Sequence, residues 1–479
     1  MASGPRLARN FLLLSSAEFL SKLFMLGAYA WLGRALGPAD YGNLEFAAGA
    51  TVVLLLFVEM GTGSYGAREL AKAPERAAEL LAEIAQLRLF LAVASAFLMA
   101  AFALLVPKPD EVRGLLLVFG LTLFTAPALL QWFFQGRDAM QWVAGASLAR
   151  TTLFIVLSLT CVRSGDSPLR VAFIEVASWS SAALFCQWVV RRRMGFSPQL
   201  RVFRFGSVRK HLWEASTVGA CDLFWSLLWY GPLVVLGLSH NDETVGWFGA
   251  AHRATAGLHT FVWLYFFNLL PSISRCVGGP PAQLHRLLEG SMRLTPWAGI
   301  LVALGLAYPA EMLFATIYGE AFRPAGQALQ VLAWFLPLSL ISGHYRYTLI
   351  AFGLQGALAR ATAVGAAAAV ALSWFLSPHW GGVGSAAAVL GGIFVLFTIA
   401  YWIVRLRVAP IPLGRALATP LAAAVLAVLL AELLPASSVW ARTALVVAVY
   451  LTTFGWVHQN RLADWSRQAT SALDRARGG

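Results

Sequence analysis

The sequence predicts an all-α polytopic membrane protein of about fourteen transmembrane helices, arranged as two six-helix halves followed by two further helices. Three observations predict it. Of the 479 residues, 59% are hydrophobic and 12% charged, with a mean hydropathy of +0.68. A soluble chain carries about 25% charged residues, so this one cannot cover a water-facing surface. The apolar residues fall into fourteen segments, each near the ~20 residues that a helix needs to span hydrocarbon. The basic residues alternate from loop to loop. With an inside N-terminus, 25 of the 36 lie in inner segments, 7 in outer ones and 4 within spans. This obeys the positive-inside rule and predicts both termini inside.

The spans lie near 10–33, 42–63, 87–106, 114–135, 141–162, 169–190, 211–238, 245–271, 294–316, 326–352, 359–377, 383–404, 413–434 and 440–458. The first resembles a signal peptide, with Arg6 and Arg9 before an apolar run and Ala28-Tyr29-Ala30 after it. Glu18 and Lys22 interrupt that run, and it continues past an ordinary h-region, so it reads as a retained helix. Residues 74–88 start at Pro74 and set Leu80, Leu81, Ile84 and Leu87 opposite Glu75, Glu79 and Glu83, the pattern of an interfacial amphipathic helix leading into span three. The most basic connection, 191–210, divides the chain into an N-lobe (1–190, spans one to six), a basic cytoplasmic linker, a C-lobe (211–408, spans seven to twelve) and a tail region (409–479, spans thirteen and fourteen). The turn LGRALGPADYG (32–42) has a counterpart in LGLSHNDETVGWFG (236–249) at the matching hairpin of the second half. Six spans per half make such repeats parallel, related by an axis along the membrane normal. Gly231-Pro232, Pro127, Pro271, Pro296, Pro309 and Pro337 are candidate kinks.

Several classes are excluded. No lysine follows a glycine, so there is no phosphate-binding loop, and there is no HExxH or metal-spaced Cys/His cluster. No catalytic residue, metal or cofactor is expected, and the charge of +13 is spread over inner loops rather than forming a nucleic-acid face. Cys161, Cys186, Cys221 and Cys276 lie in or beside apolar runs and read as packing residues. The outer loops are too short for a catalytic domain. The chain moves something, or does chemistry within the membrane.

An ionisable side chain inside a span costs about 2.5–3.5 kcal/mol on insertion scales and needs a reason. Glu18 and Lys22 are four residues apart in span one and can pair. Arg150 lies at mid-depth in span five and Glu175 in span six. Asp222 is the deepest acid of span seven, and its lack of a basic neighbour on that helix makes it a candidate proton carrier. His252 and Arg253 lie in span eight, and His344 and Arg346 in span ten. Lys22, Arg150, Arg253 and Arg346 outnumber obvious local acids, and with His252 and His344 they form a candidate cationic site shared by the two halves. Desolvated phosphate oxygens need such forks and ammonium groups. Glu18, Asp222 and Glu175 are candidates for ion coupling or pairing. Trp225 and Trp229 are candidates for stacking on sugar rings.

The turn LGRALGPADYG, FVEMGTGSYGAREL (57–70), WFFQGRDAM (132–140), VGWFGAAHR (245–253), LLPSISR, IYGEAFRPAGQALQVL (317–332) and GGVGSAA (381–387), in this order and spacing, resemble a Wzx-type polysaccharide flippase of the MATE-like MOP superfamily. The resemblance covers most of 8–405. It implies two six-helix lobes around a central cationic cavity, and outward movement of an undecaprenyl-diphosphate-linked oligosaccharide by alternating access in a bacterial inner membrane. The diphosphate would sit on the basic residues while the polyprenyl tail stays in lipid. A coupling ion (H+ or Na+) or the membrane potential would drive the cycle, and a polysaccharide polymerase and chain-length machinery would take the product.

Three alternatives stand beside this. A lipid II flippase shares fold and phosphate chemistry. A MATE-type drug/cation antiporter shares the fold but favours acidic cavity residues. A membrane glycosyltransferase or O-antigen polymerase would act on the same lipid-linked substrate, but needs a larger outer loop.

Overall fold

The structure, a computed structural model, describes residues 4–196, 205–411, 413–433 and 438–477, and side chains for Lys22 and most residues between Phe24 and Gln459. The Glu18 side chain and part of the expected linker therefore lie outside what is described. The described residues form helices and no strand. The helices are α1 (Gly4–Glu59), α2 (Thr62–Lys72), α3 (Ala77–Leu105), α4 (Asp110–Gly120), α5 (Gln131–Gln135), α6 (Met140–Cys161), α7 (Pro168–Arg192), α8 (Phe205–Ser239), α9 (Asp242–Ser274), α10 (Pro281–Met292), α11 (Thr295–Ala307), α12 (Ala310–Ile317), α13 (Ala325–Leu332), α14 (Phe335–Ala351), α15 (Gln355–Arg407), α16 (Gly414–Leu433) and α17 (Val439–Arg477).

Among the described residues, eleven helices are long and apolar enough to cross a membrane, or twelve if the pair bent by 63° between Ala307 and Ala310 counts as one. This is fewer than the expected fourteen. Part of the difference is that two long helices fold back on themselves. Gln355–Arg407 has 53 residues, and unbroken it would run about 80 Å against a hydrocarbon core of about 30 Å. It reverses at Gly381, where φ is 52°, a conformation that favours glycine. The arms then pack antiparallel: Gly392 lies beside Gly365 and Ala369, and Ser377 reaches Ser385 Oγ at 2.7 Å. In α1 the break is Gly37 (φ 78°), followed by Pro38, which has no N–H to donate.

The other candidate kinks divide. Pro127 lies in a 3-10 stretch, Leu121–Ala128, that interrupts the fourth expected span, and Pro309 sits at the 63° bend. Pro232 and Pro271 are carried inside continuous helices. Pro296 and Pro337 stand in the first turns of α11 and α14, where the missing N–H costs nothing. Residues 77–88 do not form a separate interfacial helix. They run straight into α3, and Leu80, Leu81 and Ile84 pack on Trp132, Phe133, Phe134 and Val189, because those neighbours offer a dry surface on the protein itself. Arg88 is 3% exposed. It donates to Thr62 Oγ1 at 2.8 Å and to the carbonyls of Ala126 and Leu129, where the 3-10 stretch ends, at 3.2 and 3.0 Å.

We propose that α1–α7 and α8–α15 are two lobes, the division expected from the sequence. α1 packs against both α8 and α9, and contacts at each end flank this seam. At one end the two similar turns meet: a Cβ on Gly42 would fall on the Asp242 carbonyl, and one on Gly246 on the Pro38 carbonyl. Lys108 Nζ pairs with Asp242 Oδ1 at 2.5 Å, and Arg34 donates to the carbonyls of Thr316 and Ile317. At the other end Gly61 (φ 71°) lies against Ala215 and Gly219 of α8. The charge count predicts that the first end faces outward and the second inward.

Candidate functional site: a charged cavity in the lobe seam

Between the two ends lies a cavity of about 320 Å³. The first arm of α1 supplies Lys22 and Tyr29, and the second supplies Glu45 and Thr51. α6 and α7 supply Arg150, Glu175 and Trp179. α8 and α9 supply Tyr230, His252 and Arg253. Both lobes therefore line it. Its volume is at the low end of the ~300–1,000 Å³ usual for ligand sites, enough for a headgroup and too small for an oligosaccharide, so a glycan needs the seam to widen.

Arg253 Nε pairs with Glu45 across the seam, and its guanidinium lies 3.7 Å over the Tyr29 ring. Glu45 is only 2% exposed. Helix α9 admits it because Gly249, one turn before Arg253, has no Cβ: one there would lie 2.5 Å from the Glu45 side chain. Tyr29 and Glu45 stand eight residues either side of Gly37, and both reach Arg253, which requires α1 to fold back. In the N-lobe, Arg150 Nη2 pairs with Glu175 Oε1 at 3.0 Å and its guanidinium stacks 4.0 Å over Trp179. The Trp179 indole donates to the same Oε1 at 3.2 Å. Arg150 Nε and Glu175 Oε2 are buried without a hydrogen-bond partner among the described residues. With Lys22, the lining carries three basic groups against Glu45 and Glu175.

The structure thus brings together Lys22, Arg150, Glu175, His252 and Arg253. His252 is 1% exposed, and its Nε2–H donates to the Trp229 carbonyl at 3.0 Å. Arg346, Asp222 and Trp225 form a separate group within the C-lobe. The Arg346 guanidinium lies 3.9 Å over Trp225, which stacks on His259 at 5.6 Å, and Asp222 interacts electrostatically with Arg346. Trp229 is 6% exposed and packed on His252 and Phe335. His344 is wholly buried, 2.6 Å from Ser291 Oγ and 2.9 Å from the Leu340 carbonyl. Neither it nor the Trp225–Arg346 group lines the cavity.

Sequence reasoning passed over Glu45, Tyr29 and Trp179, while Tyr230 stands among the aromatics that it considered for stacking on sugars. Glu45 had a signal: it is a lone acid in an apolar run, fourteen residues before Glu59. The aromatics had none, because apolar spans are full of such residues. Among the described residues no group of three His, Cys, Asp or Glu side chains could hold a metal ion.

A candidate O-antigen transporter of Escherichia coli (strain K12) is 23% identical over 336 residues, 68% of this chain and 79% of its own length. One of Shigella dysenteriae is 20% identical over 392 residues, 80% of this chain and 96% of its own. Among solved structures, the lipid II flippase MurJ in an inward-closed conformation superposes with a TM-score of 0.74 at 11% identity, covering 94% of this chain and 100% of that one. An inward-facing MATE-family multidrug transporter of the MOP superfamily gives 0.65 at 16% identity, covering 81% and 94%. The fold is that of these transporters. Residues 7–277, more than half of the chain, match the family described as polysaccharide biosynthesis protein, and by that match the chain belongs to the polysaccharide biosynthesis protein family.

Proposed function

We propose that the chain is a flippase. It moves an undecaprenyl-diphosphate-linked oligosaccharide from the inner to the outer leaflet of the bacterial cytoplasmic membrane by alternating access, with both termini inside. It is a transporter and not an enzyme, as the names of its relatives support. The observation that carries the reading is the cavity lined by both lobes, with three basic groups against two acids. A diphosphate would approach Lys22 and the unsaturated edge of Arg150, then take the Arg253 guanidinium from Glu45. Because the Arg253–Glu45 pair ties one lobe to the other, this exchange loosens the seam when cargo is present. Arg253 offers a planar fork that suits phosphate oxygens. Tyr29, Tyr230 and Trp179 are placed to border the sugars, and the polyprenyl tail stays in lipid. The driving force is a coupling ion, H+ or Na+, or the membrane potential, for which ~2.3 kcal/mol per charge per 100 mV is available. A polymerase and chain-length machinery then use the flipped product.

The test is proteoliposomes loaded with the lipid-linked oligosaccharide and probed with a membrane-impermeant glycosidase. Exposure of the glycan that depends on the protein, without chain growth or released undecaprenyl diphosphate, is expected. No added exposure would overturn the reading, and chain growth would favour a polymerase. Orientation is tested with single cysteines at 241 and 199, expected to label from outside and inside respectively.

A further inference from the structure

Two acids line a cavity read above as a diphosphate site, and the lobe contact explains only one of them. Glu45 ties the lobes together through Arg253. Glu175 stays within the N-lobe. Its Oε1 is fully used, accepting from Arg150 Nη2 at 3.0 Å and from the Trp179 indole at 3.2 Å. Trp179 stands one turn on from Glu175 in α7. Its ring also carries the Arg150 guanidinium at 4.0 Å, so the carboxylate is held from two sides. Glu175 Oε2 is buried without a hydrogen-bond partner among the described residues, and so is Arg150 Nε. The pair therefore leaves one acceptor and one donor open, on side chains that line the cavity.

A diphosphate meets only half of this. Its ionised oxygens accept hydrogen bonds and donate none, so they suit Arg150 Nε and repel Glu175 Oε2. An open acceptor needs an O–H or N–H, and a sugar hydroxyl supplies one. In a lipid-linked oligosaccharide the first sugar is bonded directly to the diphosphate. A phosphate on the open edge of Arg150 thus brings that ring beside Glu175, the partner of Arg150 at 3.0 Å. Water also reaches Oε2 once the seam widens. A hydroxyl on a ring already held through its diphosphate competes with that water at a high effective concentration.

We infer that Glu175 is the sugar-recognition residue of the cavity. Its Oε2 accepts a hydrogen bond from a hydroxyl of the ring bonded to the diphosphate, while Arg150 and Trp179 hold its carboxylate in place. The ligand is a neutral, hydroxyl-bearing ring next to a diphosphate. The inference rests on the flippase reading of the same cavity and names what selects the cargo there.

The test titrates the full-length protein in nanodiscs with undecaprenyl diphosphate, bare or carrying glucose, galactose or mannose. The wild type should bind at least one of the sugar-bearing lipids about tenfold more tightly than the bare one, as one hydrogen bond to a charged group allows. Glu175→Gln keeps the shape and loses the charge, so that preference should fall to about threefold or less. If Glu175 only offsets the charge of Arg150, the variant will bind both kinds of lipid more tightly and the preference will not change. Sugars lacking one hydroxyl each probe the same contact on the unaltered protein. One deoxy position should cost the wild type about tenfold and Glu175→Gln about threefold or less. Equal binding of bare and sugar-bearing lipids by the wild type, no loss at any deoxy position, or equal losses in both proteins at every position would overturn the inference and leave the flippase reading standing. Binding of neither kind of lipid would overturn both.

Discussion

The carboxylate of Glu45 and the guanidinium of Arg253 meet across the lobe seam, one from the N-lobe helix that folds back at Gly37 and the other from the first helical hairpin of the C-lobe. Glu45 is almost wholly buried. Removing one partner of such a pair costs about 3–5 kcal/mol, since the other charge is left uncompensated. Arg253→Ala should therefore lower protein abundance as well as export. Arg253→Met with Glu45→Gln removes both charges and should restore abundance but not export, measured as membrane-inserted protein against surface polysaccharide. Wild-type export by that double variant would remove Arg253 from the phosphate path.

Arg150 makes a different prediction because its pairing is within one lobe. It keeps a free Nε, a stacked face on Trp179 and one bond to Glu175. Arg150→Lys retains charge and loses the fork and the stacking plane, so export should fall about tenfold or more while insertion holds. Arg150→Gln should export nothing. Equal export by the Lys and Gln variants would show that charge at this position is unused.

The end predicted to face outward is closed at two glycines, Gly42 and Gly246. A methyl on Gly246 would collide with the Pro38 carbonyl, so Gly246→Ala should hold the outer seam apart. Tyr318→Cys, at a site 2% exposed in the closed seam, should then react with an impermeant maleimide from outside, severalfold faster than without the Gly246 change. Unaltered labelling would mean that the lobes meet elsewhere.

Arg88 is a structural arginine. The one guanidinium donates to Thr62 Oγ1 and to the carbonyls of Ala126 and Leu129, of which only Ala126 also accepts a backbone N–H, that of Leu129. Arg88→Ala leaves buried acceptors unmet at about 1–3 kcal/mol each. It should lower the unfolding temperature in detergent and reduce export only in proportion to abundance. A normal unfolding temperature with lost export would place Arg88 in transport instead.

Much of this was legible in the residues themselves. The low charge and long apolar runs set the helical, membrane-spanning class, and Gly37-Pro38 and Pro309 marked places where the helices do reverse or bend. Lys22, Arg150 and Arg253 could be singled out because a charge in an apolar run is expensive wherever it goes. The limits are equally physical. His344 carries the same signal as Arg253, yet it is satisfied by Ser291 and a backbone carbonyl away from the cavity. Residues 77–88 carry an interfacial pattern, yet their apolar face found a protein surface. Amphipathicity states that a face must be covered and does not state by what.

Sequence alone, then, determined the class, the rhythm of apolar segments and loops, and the short set of buried charges that require partners, because these follow from the solvation cost of each residue in its own segment. Tertiary structure decided which partner each charge received. Glu45 lies 208 positions from Arg253. That separation leaves no periodic trace in the chain. Such pairings arise only when glycines at 42, 61, 219, 246 and 249 let the backbones of the two lobes approach within contact distance, and it is that approach which sets a cavity between two closed ends.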